Sequence, residues 1–271
     1  MPAAPPMFRH IHQAKTAEAV AHQIEALILE GVLKVGDRLP AERDLAQETG
    51  VSRPIVREAI KALEASGLLA SRHGEGTFVA DVIGTVFSPQ ISALLARHRQ
   101  AGLDYLEYRR EIEAVAARFA AERATPADRA MLEALVARMG EAYAGGDFDA
   151  EVRLDVEFHS AIGEMAHNLV LLHTLRACYR LLAEGVFQNR ARLYGAVGAR
   201  RELFEQHRAI AAAVLAGDAA AAAAAARRHI DYVIVATRDL EAFEDRERVS
   251  QLRLARHEAL ASRRPIVKKR A

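Results

Sequence analysis

The sequence has no tryptophan and a single cysteine, and aromatic residues make up only 6% of its 271 positions. One cysteine, Cys178, excludes an internal disulfide framework and is typical of a protein in a reducing compartment. The N-terminus lacks the apolar core of a secretory signal, and no run of about 18 apolar residues predicts a transmembrane helix. These absences together predict a cytoplasmic protein that does not enter a membrane.

An excess of charge of one sign is also lacking, because 37 basic residues stand against 36 acidic ones and the net charge is +1. The chain is therefore not a basic coat for nucleic acid, and any DNA contact requires positive charge concentrated on one face. The hydrophobic fraction of 51% is enough for a sizeable core. The length suggests about two domains.

Residues 15–81 show a pattern of three helices followed by a hairpin. The helical segments cover residues 16–30, 42–49 and 52–66, and each of them is followed by a glycine. Two short strand-like runs then flank the turn signature HGEG. Residues 1–14 precede this domain and are expected to form a flexible N-terminus.

The remaining chain divides into three regions. Residues 82–102 are less regular and are expected to form a linker. Residues 103–244 have a helical period throughout, and break signals divide them into about six helices. Residues 245–271 are polar and basic and are expected to form an exposed helix that frays into a disordered tail. The predicted fold is mainly α, with an N-terminal winged helix-turn-helix (three helices and a small β-hairpin wing) and a C-terminal all-α bundle.

The segment RLPAERDLAQETGVSRPIVREAIKALEASGLLASRHGEGTFV, residues 38–79, has helix-turn-helix spacing. Gly50 suits the left-handed turn between the second and third helices. The third helix would be the recognition helix, with its N-terminal end facing the major groove. Arg53 and Arg57 lie four residues apart on its outer side, where arginine binds guanine or phosphate. The same spacing also occurs in structural three-helix units, so the pattern alone leaves a structural role open.

The motifs LPAERDLA, GVSRPIVREAIKAL, GLL and HGEGTFV resemble the GntR superfamily of bacterial transcription regulators, and they span this whole domain. Ala41 departs from the family pattern, in which a capping Ser is common, and this weakens the start of the second helix. The first turn of the recognition helix can meet a phosphate, and the tip of the wing lies near the DNA backbone or minor groove. The candidate DNA-binding residues are Arg43, Ser52, Arg53, Arg57, His73 and Gly74.

Ionisable residues recur on apolar helical stripes in the second half of the chain. Asp155 and His159 lie four residues apart on one such stripe, and His207 and His229 lie on two others. Burial of these groups is costly unless a partner compensates it. One carboxylate and three imidazoles suit a divalent metal such as Zn²⁺ or Ni²⁺. Each histidine alone is more often a hydrogen-bonded core residue.

The segments DVEFH, EQHRAI and RRHI, together with Asn168, resemble the FCD ligand-binding domain of FadR-like GntR regulators. The resemblance runs from about Leu103 to Phe243. It implies that the Asp and the three His bind a metal that helps to hold a small carboxylate effector. Arg109 matches a family arginine that often faces the same cavity and could pair with the effector carboxylate. A plain surface or interhelix salt bridge is the alternative role for Arg109.

The sequence therefore predicts a DNA-binding transcription regulator whose operator affinity is controlled by a small organic acid at a metal site. We expect a homodimer on a pseudo-palindromic operator and no enzymatic activity. The alternatives are a metal-dependent enzyme, for which no general base stands out near the motifs, and an architectural DNA-binding protein, which would not need inward Asp and His. The effector, the operator, the metal and the direction of regulation stay open.

Overall fold

The computed structural model describes residues 16–81, 89–95, 97–183, 193 and 198–262. These residues form two compact units. The first unit contains residues 16–81 and the segment Asn168–Ala177, and the second contains the other described residues. The predicted flexible N-terminus (1–14), residues 82–88 of the predicted linker and the end of the predicted tail (263–271) lie outside the described residues.

The first unit is a winged helix. Its elements are α1 (Ala17–Leu29), α2 (Glu42–Thr49), α3 (Arg53–Ala65), β1 (Leu69–Arg72) and β2 (Gly76–Val79). The strands are antiparallel, with Leu69 opposite Val79 and Arg72 opposite Gly76. The three helices and the hairpin wing confirm the fold predicted for this part of the chain.

Local sequence explains where these helices begin and end. The side chain of Thr16 accepts a hydrogen bond from the Ala19 amide at 3.2 Å and so caps α1. Gly50 has φ 70° and ends α2 in the left-handed conformation that glycine adopts without strain. Ala41 gives α2 no side-chain cap, as expected. Ser52 occupies the N-cap position of α3, but its side chain makes no capping hydrogen bond either.

The second unit is an all-α bundle, which confirms the predicted class. Its helices are α4 (Pro89–Leu95), α5 (Arg99–Arg123), α6 (Pro126–Gly145), α7 (Phe148–Met165), α9 (Ala199–Leu215) and α10 (Ala219–Ser262). Helix α8 (Leu169–Ala183) begins in the first unit and ends in the second. Helix α5 starts four residues earlier than the periodicity indicates, so part of the predicted linker is helical and Gly102 lies near the start of this helix.

Helix α10 is one continuous helix of 44 residues. It starts after Asp218, whose side chain accepts a hydrogen bond from the Ala221 amide at 2.9 Å. It passes the predicted domain end at residue 244 without a break because no Gly or Pro interrupts the sequence there. Residues 245–258 are exposed, as expected for the helical part of the tail.

The core of the bundle lies where α5, α9 and α10 pack together. Helix α5 runs along α10 and also contacts α7 and α9. Leu106 on α5, Leu203 on α9 and Ile230 on α10 are buried in one apolar cluster. This packing brings the inner faces of α5, α7, α9 and α10 together. None of the described helices combines the length and the apolar content needed to cross a membrane.

Candidate DNA interface and metal centre

The outer side of the recognition helix α3 carries an exposed arginine pair. The side chains of Arg53 and Arg57 are 61% and 55% exposed. Both approach Glu42 on α2: Arg57 donates to its two oxygens at 3.1 and 2.8 Å, and Arg53 Nη2 lies 3.9 Å away. The hydrogen bond from Arg57 lowers the pKa of Glu42. Glu42 therefore orients Arg57 and lies near Arg53, contacts that the sequence motif alone did not reveal.

The other predicted DNA contacts are also exposed. The Arg43 side chain is 80% exposed and donates to Asp44 at 3.0 Å. Ser52 is exposed immediately before α3, and His73 and Gly74 are exposed in the turn of the wing. Gly74 has φ 78°, which the tight turn requires. All six residues are thus accessible on the first unit, and their contact with DNA stays a prediction.

The four predicted metal ligands come together inside the second unit. Asp155 and His159 lie on α7, His207 lies on α9 and His229 lies on α10, and all four are buried. One ligand atom from each residue lies within 4.8 Å of the others. His207 Nε2 is 3.2 Å from Asp155 Oδ1 and 3.3 Å from His159 Nε2. Two atoms about 2.1 Å from one ion are about 3.0–3.4 Å apart, so these two separations are compatible with a shared divalent metal, whereas His159 Nε2 and Asp155 Oδ1 are 3.8 Å apart.

Two neighbouring side chains set the orientation of the imidazole rings. Nδ1 of His159 donates to Glu113 Oε2 at 2.8 Å, and Nδ1 of His229 donates to Gln206 Oε1 at 3.0 Å. Each hydrogen bond occupies Nδ1, so Nε2 of the same ring remains available as a candidate metal ligand. Such partners fix the tautomer and the orientation of metal-binding histidines. Neither Glu113 nor Gln206 was predicted, although Gln206 directly precedes His207 in the chain.

Burial favours the neutral, metal-binding form of two of these histidines. It lowers the pKa of His159, although Glu113 acts in the opposite direction. It also lowers the pKa of His229 well below the ordinary value, and the adjacent His207 and His159 lower it further. A metal binds neutral imidazole, so burial keeps these two rings in the form that could bind one.

Arg109 is a buried residue of α5 that pairs with Glu113 one turn later. The two side chains are 4% and 5% exposed, and Nε of Arg109 donates to Glu113. Burial opposes the charge of Glu113, but Arg109 and His159 outweigh it and hold the pKa of Glu113 well below the ordinary value. The surface alternative for Arg109 is therefore wrong, because both side chains of the pair are buried.

One terminal nitrogen of the Arg109 guanidinium faces no acceptor among the described residues. Nη2 of Arg109 is buried and has no hydrogen-bond partner among the described residues. The guanidinium carbon lies 5.5 Å from the centre of the Tyr179 ring, and Asp155 is near enough to raise the pKa of Arg109. A cavity of about 10 Å³ is lined in part by Glu113, His159 and Tyr179, two of which also contact or face Arg109.

Family comparisons agree with both regions. The family model described as "Bacterial regulatory proteins, gntR family" matches residues 16–79, and that of the FCD domain matches residues 104–232. The putative L-lactate dehydrogenase operon regulatory protein of Escherichia coli K12 is 38% identical over 223 residues, which cover 81% of this chain and 85% of that protein. The chain belongs to the GntR family.

The chain is also similar to two further proteins. The Glc operon transcriptional activator of E. coli K12 is 32% identical and is matched over 83% of this chain and 89% of its own length. A solved structure of a Streptococcus agalactiae GntR protein is 29% identical, with a TM-score of 0.49 over 80% of this chain and 98% of that one. The two family models and the curated relatives identify the protein as a DNA-binding transcription regulator of the GntR type with an FCD domain.

Proposed function

We propose that Asp155, His159, His207 and His229 bind a divalent metal, with Zn²⁺ or Ni²⁺ preferred, and that this metal helps to hold a small carboxylate effector. The convergence of four ligand atoms from three helices within 4.8 Å carries the proposal. The hydrogen bonds that hold two of the rings by Nδ1 are those expected around a bound metal.

The ligand set leaves room for an effector. Three imidazoles and one carboxylate do not fill an octahedral shell, and a bound metal would offer positive charge to carboxylate oxygens at its open positions. Arg109 would contribute a second contact through Nη2, which is buried without a partner among the described residues. The name of one relative includes L-lactate, a small hydroxy acid, and this supports a small organic acid as the effector class.

The winged helix would bind operator DNA through its exposed face. Arg53 and Arg57 would reach base edges or phosphates from α3, Arg43 and Ser52 would lie beside them, and the wing would add further contacts. Two copies of the chain would match two half-sites of a pseudo-palindromic operator, so we propose a homodimer, and we retain the prediction of a cytoplasmic location. Effector binding would favour one conformational state of the dimer and so change its affinity for DNA.

Operator binding with defined metal and effector contents tests this function. The operator is first selected from a library of random duplexes with the full-length protein. Its affinity is then measured for zinc-loaded and chelator-treated protein, with and without small hydroxy acids. We expect a carboxylate to change operator affinity by about 5- to 150-fold in the zinc-loaded protein only. An equal response in chelator-treated protein would exclude the metal from effector binding.

Light scattering tests the proposed dimer. The chain has a mass of 29.7 kDa, and the mass in solution at micromolar concentration should be twice that value. A protein that stays monomeric both alone and with the selected operator would contradict the two-half-site arrangement.

A further inference from the structure

Glu113 is a buried carboxylate that three side chains hold in place. Its Oε2 accepts a hydrogen bond from His159 Nδ1 at 2.8 Å, and its Oε1 accepts one from the Tyr179 hydroxyl at 3.0 Å. Oε1 also accepts from Nε of Arg109. A carboxylate held by three donors keeps its position when a ligand arrives. The negative charge of Glu113 is therefore a fixed part of the site.

The charged groups around the proposed effector have a small net charge. A divalent metal and Arg109 contribute three positive charges, and Asp155 and Glu113 remove two of them. The metal-bound imidazoles are neutral. The nearby charges of Glu151 and Arg200 compensate each other, because Nε of Arg200 donates to both oxygens of Glu151 at 3.1 and 3.0 Å. One positive charge remains for the ligand to neutralise.

We propose that Glu113 determines the charge of the effector and selects small monocarboxylates over dicarboxylates. A monoanion brings the buried site to neutrality, whereas a dianion leaves a negative charge uncompensated and away from water. Without Glu113 the site would carry two positive charges and would favour a dianion.

The size of the cavity points to a small ligand. The cavity beside Glu113, His159 and Tyr179 has a volume of about 10 Å³, on the order of the space of one water molecule and far below the ~300–1,000 Å³ of pockets for drug-sized ligands. This small space favours a compact ligand. The selectivity inferred for Glu113 rests on the proposed function, because it requires both the metal and a carboxylate effector.

Three probes separate the effect of charge from that of size. L-lactate is a monoanion, L-malate carries a second carboxylate, and the malate monoamide has an amide in place of that distal carboxylate. Malate and its monoamide have nearly the same shape and differ by one charge. Titration calorimetry on zinc-loaded, full-length protein should show the monoamide binding at least about tenfold more tightly than malate.

Replacement of Glu113 should change the ratio of the affinity for the monoamide to the affinity for malate. Glu113→Gln keeps the shape and the acceptor oxygen but removes the charge, and it should shift the preference toward malate by at least about tenfold. Its zinc affinity, measured separately, should fall by about 10- to 100-fold, because the partner of His159 is weakened. Glu111→Gln is the matched control: Glu111 lies on the same helix with a 54% exposed side chain, and its loss should leave the ratio unchanged.

A charge-restoring variant adds an independent check. Arg109→Gln combined with Glu113→Gln removes one positive and one negative charge and returns the site to one net positive charge. The affinities for malate and for its monoamide should both fall because the arginine contact is lost. The preference for the monoamide over malate should nevertheless return. A purely structural role of Glu113 predicts no such return.

Each failure has its own meaning. If zinc-loaded wild type binds none of the three probes, the selectivity and the carboxylate site are both overturned. If it binds lactate but Glu113→Gln keeps the wild-type ratio, the carboxylate site survives and Glu113 is not the specificity residue. Should Glu113→Gln fail to fold, wild type alone decides the matter: malate bound as tightly as its monoamide overturns the inference.

Discussion

On the winged helix, the side chains of Arg43 and Arg53 are 80% and 61% exposed. In the helical unit, the side chains of Asp155 and His207 are 4% and 1% exposed. Both regions concentrate ionisable groups, but only the buried set has to be compensated for the chain to fold. Exposed charges can be lost at little cost in stability, and their effect appears when a partner binds. Binding and folding should therefore be separable in the first region and coupled in the second.

The largest effect should follow the loss of a buried ligand. His207→Ala removes a proposed metal ligand and leaves a cavity, so metal affinity should fall by more than about 100-fold and the metal-loaded Tm should fall with it. Calorimetric metal titration and thermal unfolding measure the two changes. His257→Ala is the control, since His257 is exposed on α10, and it should change neither. Loss of metal binding without loss of stability would show that metal binding and folding are not coupled in the helical unit.

Replacement of an exposed arginine should weaken operator binding and leave the stability of the fold nearly unchanged. Arg53→Ala should weaken specific operator binding by about 1–3 kcal/mol if Arg53 reads a base. The free energy of unfolding should change by less than about 0.5 kcal/mol, as is usual at the surface. Arg208→Ala removes a 55% exposed arginine of α9 and serves as the control. Unchanged operator affinity in a gel-shift titration would show that Arg53 does not contact the operator.

The metal-free protein should lose stability in mild acid. Burial holds the pKa of His159 and His229 in the folded state below the ordinary histidine value of about 6.5. As the pH falls below 6.5, these histidines therefore bind protons in the unfolded chain but stay neutral in the folded chain. The free energy of unfolding should fall by up to about 1.4 kcal/mol per histidine for each pH unit until the folded pKa is reached. Urea unfolding between pH 7.5 and 5.5 measures this slope.

The pH effect can be assigned to the buried histidines. The double variant His159→Gln/His229→Gln should flatten the curve over that range, and His22→Gln, which changes a histidine with a 68% exposed side chain, should leave it unchanged. An equally steep curve in the double variant would assign the slope to other groups.

The smallest effect concerns the acid beside the arginine pair. Glu42→Gln removes a negative charge that pairs with Arg57 at 2.8 Å, so operator affinity should rise by up to about fivefold at low salt while stability stays nearly unchanged. Glu18→Gln, at a side chain that is 83% exposed on α1, is the control. A weaker operator complex would show that the orientation of Arg57 by Glu42 matters more than the charge.

Local patterns predicted much of this molecule. The glycine after α2, the turn of the wing and the apolar spacing of the helices depend on neighbours in the chain, so the sequence carries them directly. The four residues of the proposed metal site could also be picked out, since Asp155 and His159 occupy one helical face and His207 and His229 interrupt apolar stripes. Each of these signals requires only the period of one helix.

Contacts between distant segments could not be predicted in the same way. Glu113 lies one turn after Arg109 on α5 and looks like half of an ordinary surface pair until α5 packs against α7 and brings it to His159. The pairing of Glu42 with Arg57 likewise depends on the angle between α2 and α3. The continuity of α10 was missed because a change to polar composition suggested a domain end, although a helix needs no apolar face once it leaves the core.

The metal content of the purified wild-type protein tests the central claim most directly. Protein purified without chelator should contain close to one divalent ion per chain by elemental analysis. After chelator treatment, its Tm should rise by several degrees when Zn²⁺ or Ni²⁺ is added. Protein that contains no divalent metal and gains no thermal stability from either ion would contradict the account, and the buried Asp and His residues would then be a hydrogen-bonded polar cluster.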